Sequence, residues 1–136
     1  MIRAIILAAG RSRRMGTQKL LLPFAGRTVI AHIAARVLAA RVQEVLVIVG
    51  HDGDRIAEAL SGQALTLVPN RGLQSDMLSS VRCGLRAMGK ARDGVLVVLG
   101  DQPSITTALI TQMIDAGAMY LTRKPNISFV RNFLLP

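Results

Sequence analysis

The residues best suited to chemistry lie in one run near the N-terminus, Leu7-Ala8-Ala9-Gly10-Arg11-Ser12-Arg13-Arg14-Met15-Gly16-Thr17-Gln18-Lys19. A short apolar run, Ile2 to Leu7, precedes it and reads as a buried strand. Small residues and Gly10 at the end of that strand let backbone come close to a ligand. Three arginines and Lys19 follow within nine positions of Gly10. Backbone N–H groups, guanidinium groups and an ammonium together suit a polyphosphate. A glycine after a strand is also an ordinary turn, and arginines are ordinary surface residues, so the loop alone leaves both readings open. Two familiar phosphate-binding patterns do not fit. The P-loop needs Lys directly after its second Gly, followed by Ser or Thr, whereas Thr17 and Gln18 separate Gly16 from Lys19 and Leu20 follows. The dinucleotide fingerprint G-x-G-x-x-G is absent.

A second constellation is Gly100-Asp101-Gln102-Pro103, directly after an apolar run. An Asp at a strand end serves equally as a helix cap or a metal ligand. Its hard carboxylate oxygens suit Mg²⁺ bridging phosphates. His51, Asp52 and Asp54 also follow a strand, and two acids there more often cap the next helix. His32 reads as a solvated helix residue, since no partner stands near it in sequence. Cys83 has no neighbouring His or motif that would make it a nucleophile, and reads as buried or half-buried in a helix.

The elements that must position these groups alternate. Strands are expected at Ile2–Ala9, Glu44–Val49, Ala64–Val68 (closed by Pro69) and Gly94–Leu99. A long loop spans 10–27, punctuated by Pro23 and Gly26. Thr28 caps a helix whose apolar face is Ile30, Ile33, Ala34, Val37 and Leu38. Asp52 or Gly53 starts a helix to about Leu60. Asp76 starts another with the face Leu78, Val81, Leu85 and Met88, and Ser104 or Thr106 caps a last one through about Ala118. Alternating strands and helices imply βαβ units and a parallel sheet, with ligands at the carboxyl ends of the strands. In a strand order third-second-first-fourth, the Gly10 loop and Asp101 are neighbours at that edge.

Composition narrows the class. The chain has 136 residues, 51% of them hydrophobic and 3% aromatic, which points to one α/β domain with an aliphatic core. No apolar run approaches the ~18 residues needed to span a bilayer. One cysteine excludes an internal disulfide and fits a reducing, cytoplasmic compartment. The net charge is +9, and eight basic residues precede the first acid, Glu44, a field that attracts anions. Nucleic acid is disfavoured as the partner, because aromatics for base stacking are nearly absent.

The run LAAGRSRRMGTQKLLLPFAGRTVI resembles the signature of the MobA-like nucleotidyltransferases, most closely the branch that cytidylylates molybdopterin. The resemblance covers residues 1 to about 118 and implies a Rossmann-like three-layer α/β fold with a mostly parallel sheet. It implies that Leu7, Ala8, Ala9, Gly10, Arg14 and Lys19 hold the nucleoside triphosphate, with Arg14, Lys19 and Asp101 catalytic. Asp101 is the implied Mg²⁺ ligand. The guanylyl-transferring branch has Gly where this chain has Ala9, which favours CTP over GTP. A looser match runs through Asn70 and Asp76-Met77-Leu78-Ser79-Ser80-Val81, where Asp76 stands in place of the family's Gly; Asn70 and Ser80 would help bind the nucleotide.

The implied reaction is transfer of CMP from CTP to a phosphorylated acceptor such as molybdopterin, with release of pyrophosphate. A sugar phosphate is the alternative acceptor, and a nucleotide-binding remnant without turnover the alternative function. Beyond residue 118 the resemblance ends. Residues 119–136 read as an atypical tail in place of the family's C-terminal part, with Ile127–Val130 able to pair as an edge strand. A four-stranded sheet lacking that part would expose apolar surface and favour self-association.

Overall fold

A computed structural model describes residues 2–10, 19–72, 76–89, 94–100, 103–116, 120–121 and 127–131. In chain order its elements are β1 (Ile2–Ala8), a single 3-10 turn at Lys19–Leu21, β2 (Pro23–Phe24), β3 (Arg27–Thr28) and α1 (Val29–Leu38). Then come β4 (Glu44–Val49), α2 (Gly53–Ala59), β5 (Thr66–Pro69) and α3 (Met77–Met88). The chain continues with β6 (Gly94–Leu99), α4 (Thr107–Ala116), β7 (Tyr120–Leu121) and β8 (Ile127–Arg131).

The large sheet has the order β5-β4-β1-β6-β8-β7. Its first four strands are mutually parallel. They are the four expected from sequence, in the expected order. Strand β1 sits between β4 and β6, with Ile5 level with Leu46 on one side and Val97 on the other. Its burial on both faces explains an unbroken apolar sequence.

Side-chain alternation along β1 divides the core into two layers. Ala4, Ile6 and Ala8 join Val45, Val47, Val49, Leu96 and Val98 under α1, α2 and α4. Ile5 and Leu7 join Leu46, Ile48 and Val95 under Leu85 and Met88 of α3. The result is the three-layer α/β arrangement that the alternation of elements implies. Helix α3 lies close to the sheet at Gly84, where a Cβ would stand 2.6 Å from Ile5 Cδ1. Arg3 ties the opposite end of α3 down: its Nη1 donates to the Met88 carbonyl (2.8 Å), and its Nε lies 3.3 Å from Glu44 Oε2.

Several expectations are corrected. The stretch 19–27 is not plain loop: it holds the 3-10 turn and a ribbon in which Pro23 pairs with Thr28 and Phe24 with Arg27. The ribbon turns at Ala25 (φ 50°) and Gly26 (φ 81°). Consecutive positive φ values match the right-handed twist of a tight hairpin, and Ala25 adopts one at a cost of about 1 kcal/mol. Strand β5 starts two residues later than expected and includes Pro69, which an edge strand tolerates.

Leu78 is 58% exposed instead of facing the core, and Ser80 and Gly84 are buried in its place. The close approach at Gly84 sets the rotation of α3 and leaves Leu78 on the flank of the first turn. Helix α4 is described as far as Ala116, and Ala118 lies outside the described residues.

The sheet does not stop at four strands. Strand β8 pairs antiparallel with β6 from Gly94–Arg131 to Val98–Ile127, and β7 lies outside it. The segment Ile127–Val130, expected to be able to pair as an edge strand, does pair, and it covers the edge of β6, whose backbone N–H and C=O groups it takes up. Among the described residues, no helix is long and apolar enough to cross a membrane.

Candidate functional site

The four parallel strands deliver their carboxyl ends to one edge, and most of the sequence-selected residues gather there. Strand β1 ends at Ala8. Leu7, Ala8 and Ala9 are buried, and Gly10 emerges exposed. Among the described residues, none comes within 4 Å of where a Gly10 Cβ would stand.

Lys19 is exposed and opens the 3-10 turn, its carbonyl accepting from the Leu22 N–H (3.2 Å). The next residue, Leu20, is buried and anchors that turn. Its Cδ2 lies 3.5 Å from the Cβ position of Gly100, beside Ile30 Cδ1 at 3.1 Å. Gly100 in turn donates its N–H to the Leu7 carbonyl (3.0 Å). Leu7–Gly10, Lys19 and Gly100 are thus brought to one place by three elements distant in sequence. Arg14 and Asp101 lie outside the described residues. Among the described residues, no group of three or more His, Cys, Asp or Glu side chains is arranged to hold a metal ion.

Asn70 and Ser80 form a second cluster, after β5 and in the first turn of α3. Both are buried, at 7% and 2% exposure. Asn70 Nδ2 donates to Ser79 Oγ (2.9 Å) and Ser80 Oγ (3.2 Å). Its Oδ1 accepts from the Gly72 N–H (3.2 Å), and its own N–H donates to the Val49 carbonyl (2.8 Å). The role of Ser79 in this knot was not visible in sequence, where both serines read equally as helix first-turn residues.

Asp76 caps α3, as expected. Its Oδ1 accepts from the Ser79 N–H (2.7 Å). The Ser79 backbone bond, then the Ser79 side chain, holds the Asp76 carboxyl below its usual pKa, with the Arg82 charge helping. An anionic side chain thus stands at this helix N-terminus, where the family pattern has Gly.

Other candidates are accounted for structurally. Thr28 Oγ1 accepts from the Ala31 N–H (3.2 Å) and Thr106 Oγ1 from the Leu109 N–H (3.1 Å), so both are caps. Asp52 occupies the N-cap position of α2. His32 is half-buried, with its ring edge-on to Phe24 at 4.7 Å, a contact the sequence did not reveal. Burial first, then the charges of Arg36 and Arg27, lower its pKa. Cys83 is half-buried against the α3 side of the core.

Comparison with known proteins gives the same picture. The model of the MobA-like NTP transferase domain matches residues 4–126. A bifunctional protein GlmU from Sinorhizobium fredii is 40% identical over 113 residues, covering 79% of this chain and 24% of that protein. A nucleotidyl transferase from Methanothermobacter thermautotroptrophicus superposes with a TM-score of 0.78 at 36% identity, over 85% of this chain and 57% of the other. Rv0371c from Mycobacterium tuberculosis, in a structure complexed with manganese, superposes with a TM-score of 0.73 at 27% identity, over 85% and 59%. The chain therefore spans about a quarter of the length of that curated relative and just under three-fifths of these solved ones. With four parallel strands in the order expected and a domain model matching residues 4–126, the chain belongs to the MobA-like NTP transferase domain family.

Proposed function

We infer that this chain is the nucleotide-binding part of a nucleotidyltransferase that moves CMP from CTP to a phosphorylated acceptor such as molybdopterin, releasing pyrophosphate. The observation that carries this reading is the convergence of Leu7–Gly10, Lys19 and Gly100 on one sheet edge, in a chain of the MobA-like family. Gly10, exposed past the end of β1, lets backbone come close to phosphate oxygens, and the Lys19 ammonium, with Arg14, would offset charge on the leaving pyrophosphate.

In the reaction, an acceptor phosphate oxygen attacks the α-phosphorus in line and the bond to pyrophosphate breaks. Such an acceptor has a second pKa near ~6 and is ionised at neutral pH, so no strong general base is required. Protein groups contribute mainly by orienting the two phosphates and neutralising their charge.

The donor chemistry fits a divalent cation. Asp101 follows Gly100 directly, and Mg²⁺ takes one or two carboxylates together with substrate phosphates. Bound there, the ion would supply charge neutralisation at the α-phosphate. The manganese complex of Rv0371c supports a divalent site in a relative. Preference for CTP over GTP rests on Ala9, and Asn70 and Ser80 would line the base side of the site.

The test is a calorimetric titration of CTP and GTP in Mg²⁺, alongside Lys19→Ala and Asp101→Ala. Saturable CTP binding, weakened by both substitutions, is expected. Pyrophosphate release with molybdopterin but not with sugar phosphates would identify the acceptor. Absence of binding to either nucleotide would overturn the proposal.

A further inference from the structure

We propose that Gly50 is a positioning residue that sets the Ala9–Gly10 loop and the Asn70 loop at their working distance from each other. This rests on the nucleotide-binding reading of those two loops.

Gly50 follows β4 directly. A Cβ there would stand 2.8 Å from the Ala9 carbonyl oxygen and 3.3 Å from both Ala9 Cα and Cβ. Two of these three atoms are backbone and cannot rotate away as the end of a side chain can. Gly50 is also not among the glycines with positive φ, which are Gly26, Gly62 and Gly89. Its own dihedral angles therefore do not demand glycine; the demand comes from the closeness of Ala9.

The same dipeptide holds the other loop. The Val49 carbonyl accepts from the Asn70 N–H (2.8 Å), and the Gly50 carbonyl accepts from the Gly53 N–H (3.1 Å), where α2 begins. Val49–Gly50 is thus in contact with the triphosphate side of the site through Ala9 and with the base side through Asn70. A methyl group at Gly50 forces a choice. Either Ala9 retreats and takes Gly10 with it, or the end of β4 retreats and takes Asn70 with it. Both outcomes change the spacing of the two loops while leaving each loop's own residues intact. Gly53 differs: its nearest neighbour is the side-chain atom Val49 Cγ2 at 3.2 Å.

The experiment compares Gly50→Ala with Gly62→Ala. Gly62 has φ +86° and nothing within 4 Å of a Cβ, so its substitution strains local backbone without touching the site. Two quantities are read: the CTP dissociation constant in Mg²⁺, and the amide ¹H–¹⁵N shifts of the nucleotide-free chain. Loss of the equivalent of one hydrogen bond to a charged phosphate oxygen corresponds to about 10- to 100-fold in affinity, so Gly50→Ala is expected to bind CTP about 10- to 100-fold more weakly. Gly62→Ala stays within about twofold, as a site it does not touch should. The Ala9, Gly10 and Asn70 amides shift in Gly50→Ala and not in Gly62→Ala.

A folded Gly50→Ala chain with the wild-type dissociation constant overturns the inference, as do unshifted amides. If the wild-type chain takes up no CTP, the proposed function fails by itself, and the amide shifts still decide the role of Gly50. Should Gly50→Ala not fold, the wild-type chain decides: on titration with CTP the Ala9, Gly10, Gly50 and Asn70 amides are expected to shift together, and a Gly50 amide that stays unshifted while those of Ala9 and Asn70 move would refute the proposal.

Discussion

Replacing Asn70 with Ala should loosen the first turn of α3 by an amount that can be worked out from its contacts. The side chain makes three hydrogen bonds: to Ser79 Oγ, to Ser80 Oγ and from the Gly72 N–H. Each is worth a net ~0.5–1.5 kcal/mol. Ser80 is 2% exposed, so water cannot readily replace its lost partner, whereas Ser79 and Gly72 regain water more easily. A loss of about 2–3 kcal/mol follows, a large share of the ~5–15 kcal/mol that holds a domain together.

Urea unfolding followed by circular dichroism is the assay. With a slope of about 1–2 kcal/mol/M, the midpoint should fall by about 1–3 M with the slope unchanged. Ser80→Ala should cost about 0.5–1.5 kcal/mol, since Asn70 keeps Ser79. The two losses should not add, because both remove one bond. A loss below about 0.5 kcal/mol in Asn70→Ala would refute the reasoning, since it would mean that the buried amide contributes less than one ordinary hydrogen bond.

Gly84→Ala should destabilise by about 1–2 kcal/mol despite the better helix propensity of Ala, because its Cβ meets Ile5 Cδ1 at 2.6 Å. Ile5→Val in the same chain removes that atom and should recover part of the loss; equal thermal midpoints for wild type and Gly84→Ala would contradict the packing. His32 has a pKa below its ordinary 6.5 in the folded chain, from burial first and then Arg36 and Arg27. The unfolded chain therefore takes up the proton more readily. The His32 contribution is fully present above about pH 6.5 and is lost as pH falls through the folded value. Stability measured at pH 5.5 and 7.5 should show a smaller difference in His32→Gln than in wild type, and identical differences would exclude His32 as the source.

Much of the architecture was legible in the sequence because it is written in local terms. The short apolar runs Ala4–Ala8, Val45–Val49 and Val95–Leu99 read as buried strands, and their alternation with helices implied a parallel sheet. The caps at Thr28, Asp76 and Thr106 depend on hydroxyl or carboxylate groups three residues before the amides they bind; Thr28 and Asp76 were read as such, and Thr106 as one of two candidates beside Ser104. The glycine loop with its arginines was picked out by composition and spacing, and its residues 11–18 lie outside the described ones.

The tertiary structure decided what depends on contacts between distant segments. The phase of α3 follows from how closely Gly84 can approach Ile5, and no periodicity within the helix contains that information, so Leu78 was assigned to the wrong face. The covering of β6 by β8 depends on backbone pairing across 29 or more residues of sequence, from Val98 to Ile127 at the nearest. The burial of Asn70 between Ser79, Ser80 and Val49 depends on where β5 ends relative to β4. Sequence singled out the residues expected at a nucleotide site; the close approach of Ala9 to Gly50, and of Leu7 to Gly100, decided how their strands stand relative to one another, because such distances exist only once the strands are side by side.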